Sequence, residues 1–281
     1  MKDVIIGCST NYTWDTLKYW VKSIKQTTFQ GKIVLILMNC DAHTASRVVS
    51  EGVDIIAFSQ DKNKNLTYSP QHNIPVHVDR FVHIYEYLCL DSDLRYVITT
   101  DVKDVIFQKN PVEWLEKNLG QNNCVFSSES IVYKNEPWGD RNLLETFGPY
   151  VYEKFKSNEI FNVGVLAGKY EAMKSLVLNI FVNAINRPIG ICDQSTFNFL
   201  VSQEPYLSKN LYTKSEDGWA CQLGTTADPT KIKSFTPFLL EPCPKFENGK
   251  VVTSTGKEFT IVHQYDRVPS WRKAIEEKYN G

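Results

Sequence analysis

The sequence predicts an α/β protein with a mostly parallel central sheet flanked by helices. Short apolar runs, Val4–Cys8, Lys32–Met38 and Val53–Phe58, alternate with segments of helical periodicity. A strand that is apolar throughout, rather than on every second residue, is covered on both faces, which is the situation of a parallel sheet between helices. The 281 residues also contain no repeat, no low-complexity linker and no long run of one charge. One compact domain is therefore expected over 1–281, with a nucleotide-binding half over about 1–110 and a more irregular half over about 111–281.

Taken in order, Val4–Cys8 is a first strand ending in Ser9-Thr10-Asn11, and Trp14–Lys25 places Trp14, Leu17, Val21 and Ile24 on one helical face. Lys32–Met38 is a second strand, Ala42–Glu51 a helix closed by Gly52, and Val53–Phe58 a third strand. The polar stretch Asp61–Asn73 reads as a loop. Val76–Leu90 is a helix with Phe81, Ile84, Tyr85 and Leu88 on one face and Asp79 and Arg80 near its start. Tyr96–Thr99 and Val105–Phe107 are strands, and Pro111 opens a helix through Leu119. Beyond it come a strand over Asn123–Ser127, an aromatic-rich segment over Leu143–Phe155 and a strand over Ile160–Leu166. Helices follow over Tyr170–Ile185 and Asp193–Val201, then a turn-rich stretch over Gly218–Pro229 and a strand over Glu258–Val262.

Composition narrows the function. Hydrophobic residues make up 42% and charged residues 22%, and 31 Lys plus Arg nearly balance 32 Asp plus Glu, which excludes a nucleic-acid or membrane-surface protein held by bulk charge. The seven cysteines, Cys8, Cys40, Cys89, Cys124, Cys192, Cys221 and Cys243, are dispersed without Cys-x-x-Cys spacing and read as reduced core thiols. No segment approaches the ~20 apolar residues of a membrane span, and the N-terminal apolar run is too short for a signal peptide, so a cytoplasmic location is expected.

The stretch from Tyr96 to Gln108 carries the chemistry. Asp101 and Asp104 sit at a break between two strands, and a carboxylate in such apolar surroundings needs a partner because burying an unpaired charge costs several kcal/mol. A divalent cation is one partner; the alternative is two turn residues bonded to their own backbone. Arg80, the Asp101/Asp104 pair, Asp193 and His263 all fall at predicted strand ends or helix starts, where parallel sheets bind ligands. Two carboxylates and an imidazole suit Mn²⁺ or Mg²⁺ with positions open to phosphate oxygens.

These residues resemble the nucleotide-sugar-dependent glycosyltransferases of the GT-A fold, whose first half is Rossmann-like. Ile98-Thr-Thr-Asp-Val-Lys-Asp-Val-Ile-Phe-Gln108 is similar to the Asp-Val-Arg-Asp variant of that family's Asp-x-Asp metal motif, and Ile261-Val-His-Gln-Tyr-Asp-Arg267 to its C-terminal His element. Phe161-Asn-Val-Gly-Val-Leu-Ala-Gly168 resembles its donor-sugar segment, and Asp193-Gln194 a pair that opens a later helix. The resemblance implies metal or ribose binding by Asp101 and Asp104, with His263 as the distal metal ligand. It implies donor contacts from Thr10, Asn11, Tyr12, Arg80, Asn162, Gly164 and Gln194, with Arg80 holding either the sugar or a neighbouring carboxylate. The spacing here is Asp-x-x-Asp, which leaves open which acid touches the metal directly.

An inverting transfer needs a carboxylate that takes the acceptor's proton, and Asp193 is the first choice, with Glu129 the second; Asp193 reads equally well as an N-cap. Trp138, Trp219 and Trp271 could each stack on a sugar ring, but in so aromatic a half Trp138 and Trp271 read as core, and Trp219, between Gly218 and the Gly224 turn, is the expected acceptor platform; His72, His77 and His83 read as surface or helix-packing residues. The expected activity is transfer of a single sugar from a nucleoside diphosphate, UDP preferred, to a glycan hydroxyl. The Asp-Val-Lys-Asp form also resembles glycosyltransferases encoded by large algal viruses, which implies xylose as a donor sugar and a host cytosol as the location. A sugar nucleotidyltransferase and a non-catalytic sugar or nucleotide binder are the rivals. The first of these carries a Gly-rich basic loop after its first strand, which Ser9-Thr-Asn-Tyr-Thr13 is not.

Overall fold

The computed structural model describes residues 2–58 and 73–280. The alternation expected of the first half is present: β1 (Lys2–Thr10), α1 (Trp14–Lys25), β2 (Lys32–Met38), α2 (Ala42–Ser50), β3 (Asp54–Phe58), α3 (Val76–Leu90) and β4 (Leu94–Thr100). The expected loop over 61–73 lies outside the described residues except for Asn73, as does His72. Next come β5 (Val105–Phe107), α4 (Pro111–Asn118), β6 (Cys124–Val132), α5 (Pro137–Phe155), β7 (Glu159–Lys169), α6 (Tyr170–Ala184) and α7 (Asp193–Val201). The last part holds short elements: α8 (Tyr206–Lys209), β8 (Leu211–Thr213), β9 (Ala220–Gln222), α9 (Leu223–Thr226), α10 (Ile232–Phe235), β10 (Lys245–Glu247), β11 (Lys250–Val252) and β12 (Ile261–His263), before α11 (Pro269–Tyr279).

Local chemistry accounts for many boundaries. Asp41 caps α2 by accepting from Thr44 N at 2.7 Å, and Asn110 accepts from Val112 N at 3.0 Å just before Pro111 opens α4. The aromatic-rich stretch over 143–155 is the latter part of α5, which bends at Gly148, held at φ 77°, ahead of Pro149.

The main sheet has the order β3-β2-β1-β4-β7-β6-β8. The first four strands are parallel, as the apolar runs predict, but β7 runs antiparallel to both β4 and β6. That reversal has a functional result. It sets the early residues of β7 against the carboxyl end of β4, pairing Val165 with Thr100, and Asp101 N donates to Gly164 O at 2.8 Å. A second sheet of order β5-β12-β9 stands beyond that end.

Helices cover both faces of the main sheet. Ile5, Leu35 and Ile98 point to one side, where Leu17, Trp20, Val21 and Ile24 of α1 meet them. Val4, Ile6, Val34 and Val97 point to the other, against Phe81, Ile84 and Leu88 of α3 and Met173 and Leu176 of α6. Phe259, Val262, Tyr265 and Ile275 form a separate core beneath the small sheet. All seven cysteines are free; Cys124, Cys192 and Cys221 are buried as core thiols, Cys8, Cys40 and Cys243 are partly buried, and Cys89, against expectation, is exposed. No helix among the described residues is long and apolar enough to cross a membrane.

Gly7 in β1 is a packing necessity. A Cβ there would stand 2.2 Å from Val102 Cγ1 and 3.1 Å from both Leu35 Cδ2 and Trp20 Cζ2. Gly7→Ala is therefore expected to destabilise the fold by about 1–3 kcal/mol, seen as a lower urea midpoint. An unchanged midpoint would show that Val102 can give way.

Candidate active site

A cavity of about 840 Å³ opens at the carboxyl ends of β1 and β4, within the range of small-molecule sites. Its lining contains Thr10, Asn11, Tyr12, Arg80, Asp101, Asp104, Asn162, Gly164, Asp193, Gln194 and His263, together with Glu129. The exception among the expected site residues is Trp219. It is fully buried and its ring lies 4.7 Å from that of Trp114, so it offers no face to an acceptor. Its backbone carbonyl bonds Ile261 N, which draws the flanking segment into the small sheet rather than a surface loop.

The small sheet brings His263 to the acids. Val105 pairs with His263 across β5 and β12, and Gln222 pairs with His263 across β9 and β12. One ligand atom from each of Asp101, Asp104 and His263 falls within 4.8 Å of the others. His263 Nε2 is 3.5 Å from Asp101 Oδ2 and 3.5 Å from Asp104 Oδ1. On the other side of the ring, Gln222 Nε2 donates to Ser127 Oγ at 2.8 Å, leaving Gln222 Oε1 to accept from His263 Nδ1 at 2.8 Å. Nε2 is thereby turned toward the carboxylates, the second-sphere arrangement of a metal-binding histidine. Two carboxylates around one imidazole nitrogen call for positive charge. Burial alone would lower the pKa of His263, yet Asp104 and Asp101 outweigh burial and push it up to about 10. A divalent cation satisfies the same demand, and the donor set fits Mn²⁺ or Mg²⁺.

Arg80 joins three elements. From α3 it reaches Asp101 through one guanidinium nitrogen and Asp193 Oδ2 at 2.9 Å through the other. Burial would raise the Asp101 carboxyl; Arg80 and His263 prevail and hold it well below the usual carboxylate range. Asp193 opens α7, but its carboxylate goes to Arg80 and its side chain is only 5% exposed. Tyr12 faces the same acids, and burial followed by Asp101 and Asp104 raises its phenol, keeping it a hydrogen-bond donor.

Glu129 stands apart from this ion-pair network. Its Oε1 accepts from Asn162 Nδ2 at 2.7 Å and Gln194 Nε2 at 2.9 Å. Gln194 Oε1 in turn accepts from Val163 N at 2.8 Å, and Asn162 Oδ1 from Gly164 N at 2.7 Å. Burial pushes the Glu129 carboxyl up to about 7 from its ordinary 4.5, against the lowering effect of Asn162. Sequence reading missed Gln222, which has no motif around it, and the cavity residues Lys103, Lys231 and Arg267. Arg267 had a signal, since it closes the His263-Gln-Tyr-Asp-Arg267 element.

No protein-family model matches the sequence, and no match to it is found among curated proteins. Solved structures are. The chain resembles the apo structure of the bifunctional glycosyltransferase WbbM with a TM-score of 0.61 at 14% identity, covering 99% of this chain and 51% of that one. It thus spans about half the length of that protein. It also resembles the galactosyltransferase LgtC, solved with donor and acceptor sugar analogues, with a TM-score of 0.53 at 12% identity, covering 98% of this chain and 95% of that one. At these identities the likeness establishes the fold alone, which this chain shares with those two proteins.

The raised pKa of Glu129 has a sign in stability. Between about pH 4.5 and 7 the folded chain keeps a proton that the unfolded chain has released, so this group's contribution to stability falls as pH rises through that window. Glu129→Gln is expected to remove that part of the pH dependence, measured by urea unfolding across the window. An unchanged dependence would place the titration on another group.

Proposed function

We propose that this chain is a metal-dependent glycosyltransferase that moves one sugar from a nucleoside diphosphate, a UDP-sugar, onto a glycan hydroxyl. The meeting of Asp101, Asp104 and His263 at the carboxyl edge of a Rossmann-like half carries this reading. Asp101, Asp104 and His263 would hold Mn²⁺ or Mg²⁺, which when bound neutralises charge on the leaving diphosphate. Thr10, Asn11 and Tyr12, at and just beyond the end of β1, border the nucleoside side of the cavity, and Arg267 presents a half-exposed guanidinium suited to phosphate oxygens. Asn162, Gly164 and Gln194 border the sugar.

Glu129 is the better proton acceptor, in place of Asp193. It lines the cavity, its pKa lies near neutrality, and among the described residues its Oε2 accepts no hydrogen bond. In the proposed step the acceptor O–H gives its proton to Glu129 and the oxygen bonds to C1. The C1–O bond to the diphosphate breaks, and the nucleoside diphosphate leaves with the bonding pair. Attack from the face opposite the leaving group inverts the anomeric centre. Asp193 then serves to position Arg80.

Two experiments test this. Hydrolysis and transfer should be measured over a UDP-sugar panel that includes UDP-xylose, with Mn²⁺ and with chelator. Chelation is expected to abolish turnover, and turnover that survives it refutes the metal role. Gly164→Ala is a companion probe, because its Cβ would come within 2.6 Å of His263 Cε1 and 2.7 Å of Asp101 Oδ2. It should weaken Mn²⁺ binding, read by calorimetry, at least about tenfold. Sugar-nucleotide synthesis from a sugar phosphate would instead mark a nucleotidyltransferase, and nucleotide binding without turnover a non-catalytic binder.

The second experiment compares Glu129→Gln with Asp193→Asn. Loss of the general base should lower transfer by roughly 10²–10⁴. In the wild type, transfer should rise with pH through about 7, following ionisation of Glu129. That rising limb should vanish in Glu129→Gln and persist in Asp193→Asn; the reverse pattern would return the role to Asp193.

A further inference from the structure

The six tryptophans divide sharply. Trp14 lies beneath the Arg47 guanidinium at 5.5 Å, and Trp20 is buried with Nε1 donating to Thr100 Oγ1 at 2.8 Å. Trp114 and Trp219 pack on each other, and Trp271 stacks on Phe246 with ring centres 5.5 Å apart. Trp138 is 51% exposed and, among the described residues, has neither a ring partner nor a bond to its indole N–H. Yet it lines the catalytic cavity.

Its mount is firm. Trp138 follows Pro137 in the first turn of α5, and Glu136 caps that turn by accepting from Gly139 N at 2.5 Å. Asn142 Nδ2 on the same helix donates to Ile191 O at 2.6 Å, tying α5 to the segment before α7. Ile191, 46% exposed, lines the cavity as well. The ledge belongs to the Glu129 side of the cavity. Glu136, two residues from Trp138, is close enough to Glu129 to add to the rise of its pKa, whereas Tyr12 is influenced by Asp101, Asp104 and Asp266.

We infer that Trp138, with Ile191 beside it, is the acceptor subsite: its indole takes the apolar C–H face of a glycan's terminal sugar and turns a hydroxyl of that sugar toward Glu129. This rests on the glycosyltransferase reading. An exposed, fixed indole at the mouth of a polar cavity suits a ligand with one apolar face and a hydroxylated rim, and its π face attracts C–H groups. The nucleoside diphosphate is assigned to the opposite side, beside Tyr12 and the metal ligands.

The test follows the indole N–H resonance of Trp138, assigned with Trp138→Phe, while methyl glycosides of common pyranoses are titrated in the presence of UDP and Mn²⁺. At least one glycoside should shift it saturably. Trp138→Ala should weaken that binding about tenfold and raise the acceptor KM far more than it changes kcat, and Trp138→Phe should restore most of the affinity. Absence of glycoside binding across the panel, equal affinity in Trp138→Ala, or saturation of the resonance by UDP with no response to glycosides would each overturn the assignment. Glycoside binding at Trp138 in a protein that turns over no UDP-sugar would uphold this subsite and defeat the transferase reading, so the two fail separately.

Discussion

Six carboxylates line one cavity, and the cost of gathering like charges at low dielectric is sharpest for four of them, Asp101, Asp104, Asp193 and Glu129. Each is offset differently. Arg80 bridges Asp101 and Asp193, tying α3 to the edge of β4 and to the first turn of α7. His263 supplies charge beside Asp101 and Asp104. Glu129 is held by two side-chain amides and, near neutrality, by a proton. The division makes chemical sense: the acids that are paired with cations suit the binding of charge, while the acid that keeps a proton near neutrality suits its transfer.

Topology makes this gathering possible. Parallel β1 and β4 end at the same edge, which delivers Tyr12 and Asp101 together. The antiparallel β7 then passes that edge in the opposite sense and lays Asn162 and Gly164 beside Asp101. Space at this junction is so limited that Gly164 can carry no side chain without meeting His263, Asp101 and Asn162 at once. The small sheet completes the wall, because pairing His263 with both Val105 and Gln222, together with the Gln222 Oε1 bond to Nδ1, fixes the position and the orientation of the imidazole.

What could be read from the sequence was mostly what neighbouring residues decide. The buried face of α1, the Asn110-Pro111 start of α4 and the apolar β1 and β2 follow from local periodicity and capping. Strand direction does not, since an apolar run has no arrow, and the reversal of β7 depends on its partners. Trp219 shows the same limit. Flanking glycines gave it the look of a loop residue, but its burial is decided by Trp114, far back in the chain. Trp138 has the composition around it of a core residue, yet it is left exposed because α5 begins at the cavity rim. That Arg80 would reach a carboxylate is legible in the sequence, but which one is not: Asp193, more than a hundred residues later, is fixed as its partner only where the fold sets Arg80 of α3 beside the first turn of α7. Gln222, in a plain Ala-Cys-Gln strand, could be recognised only once His263 was seen beside it.

The strand that carries His263 has one more consequence, which concerns assembly. Asp101 and Asp104 emerge early from the ribosome, whereas His263 arrives with β12, and their pairing closes a loop of more than half the chain. Contacts so distant in sequence form only after a large loss of chain entropy has been met by other interactions. Within the β1–β4 half the most distant pairing joins β1 to β4, as Lys2 to Leu94, and closes a smaller loop than the one that brings in His263. Completion of the cluster waits on β12: a chain whose C-terminal part has not docked has Asp101 and Asp104 but not the imidazole that stands between them.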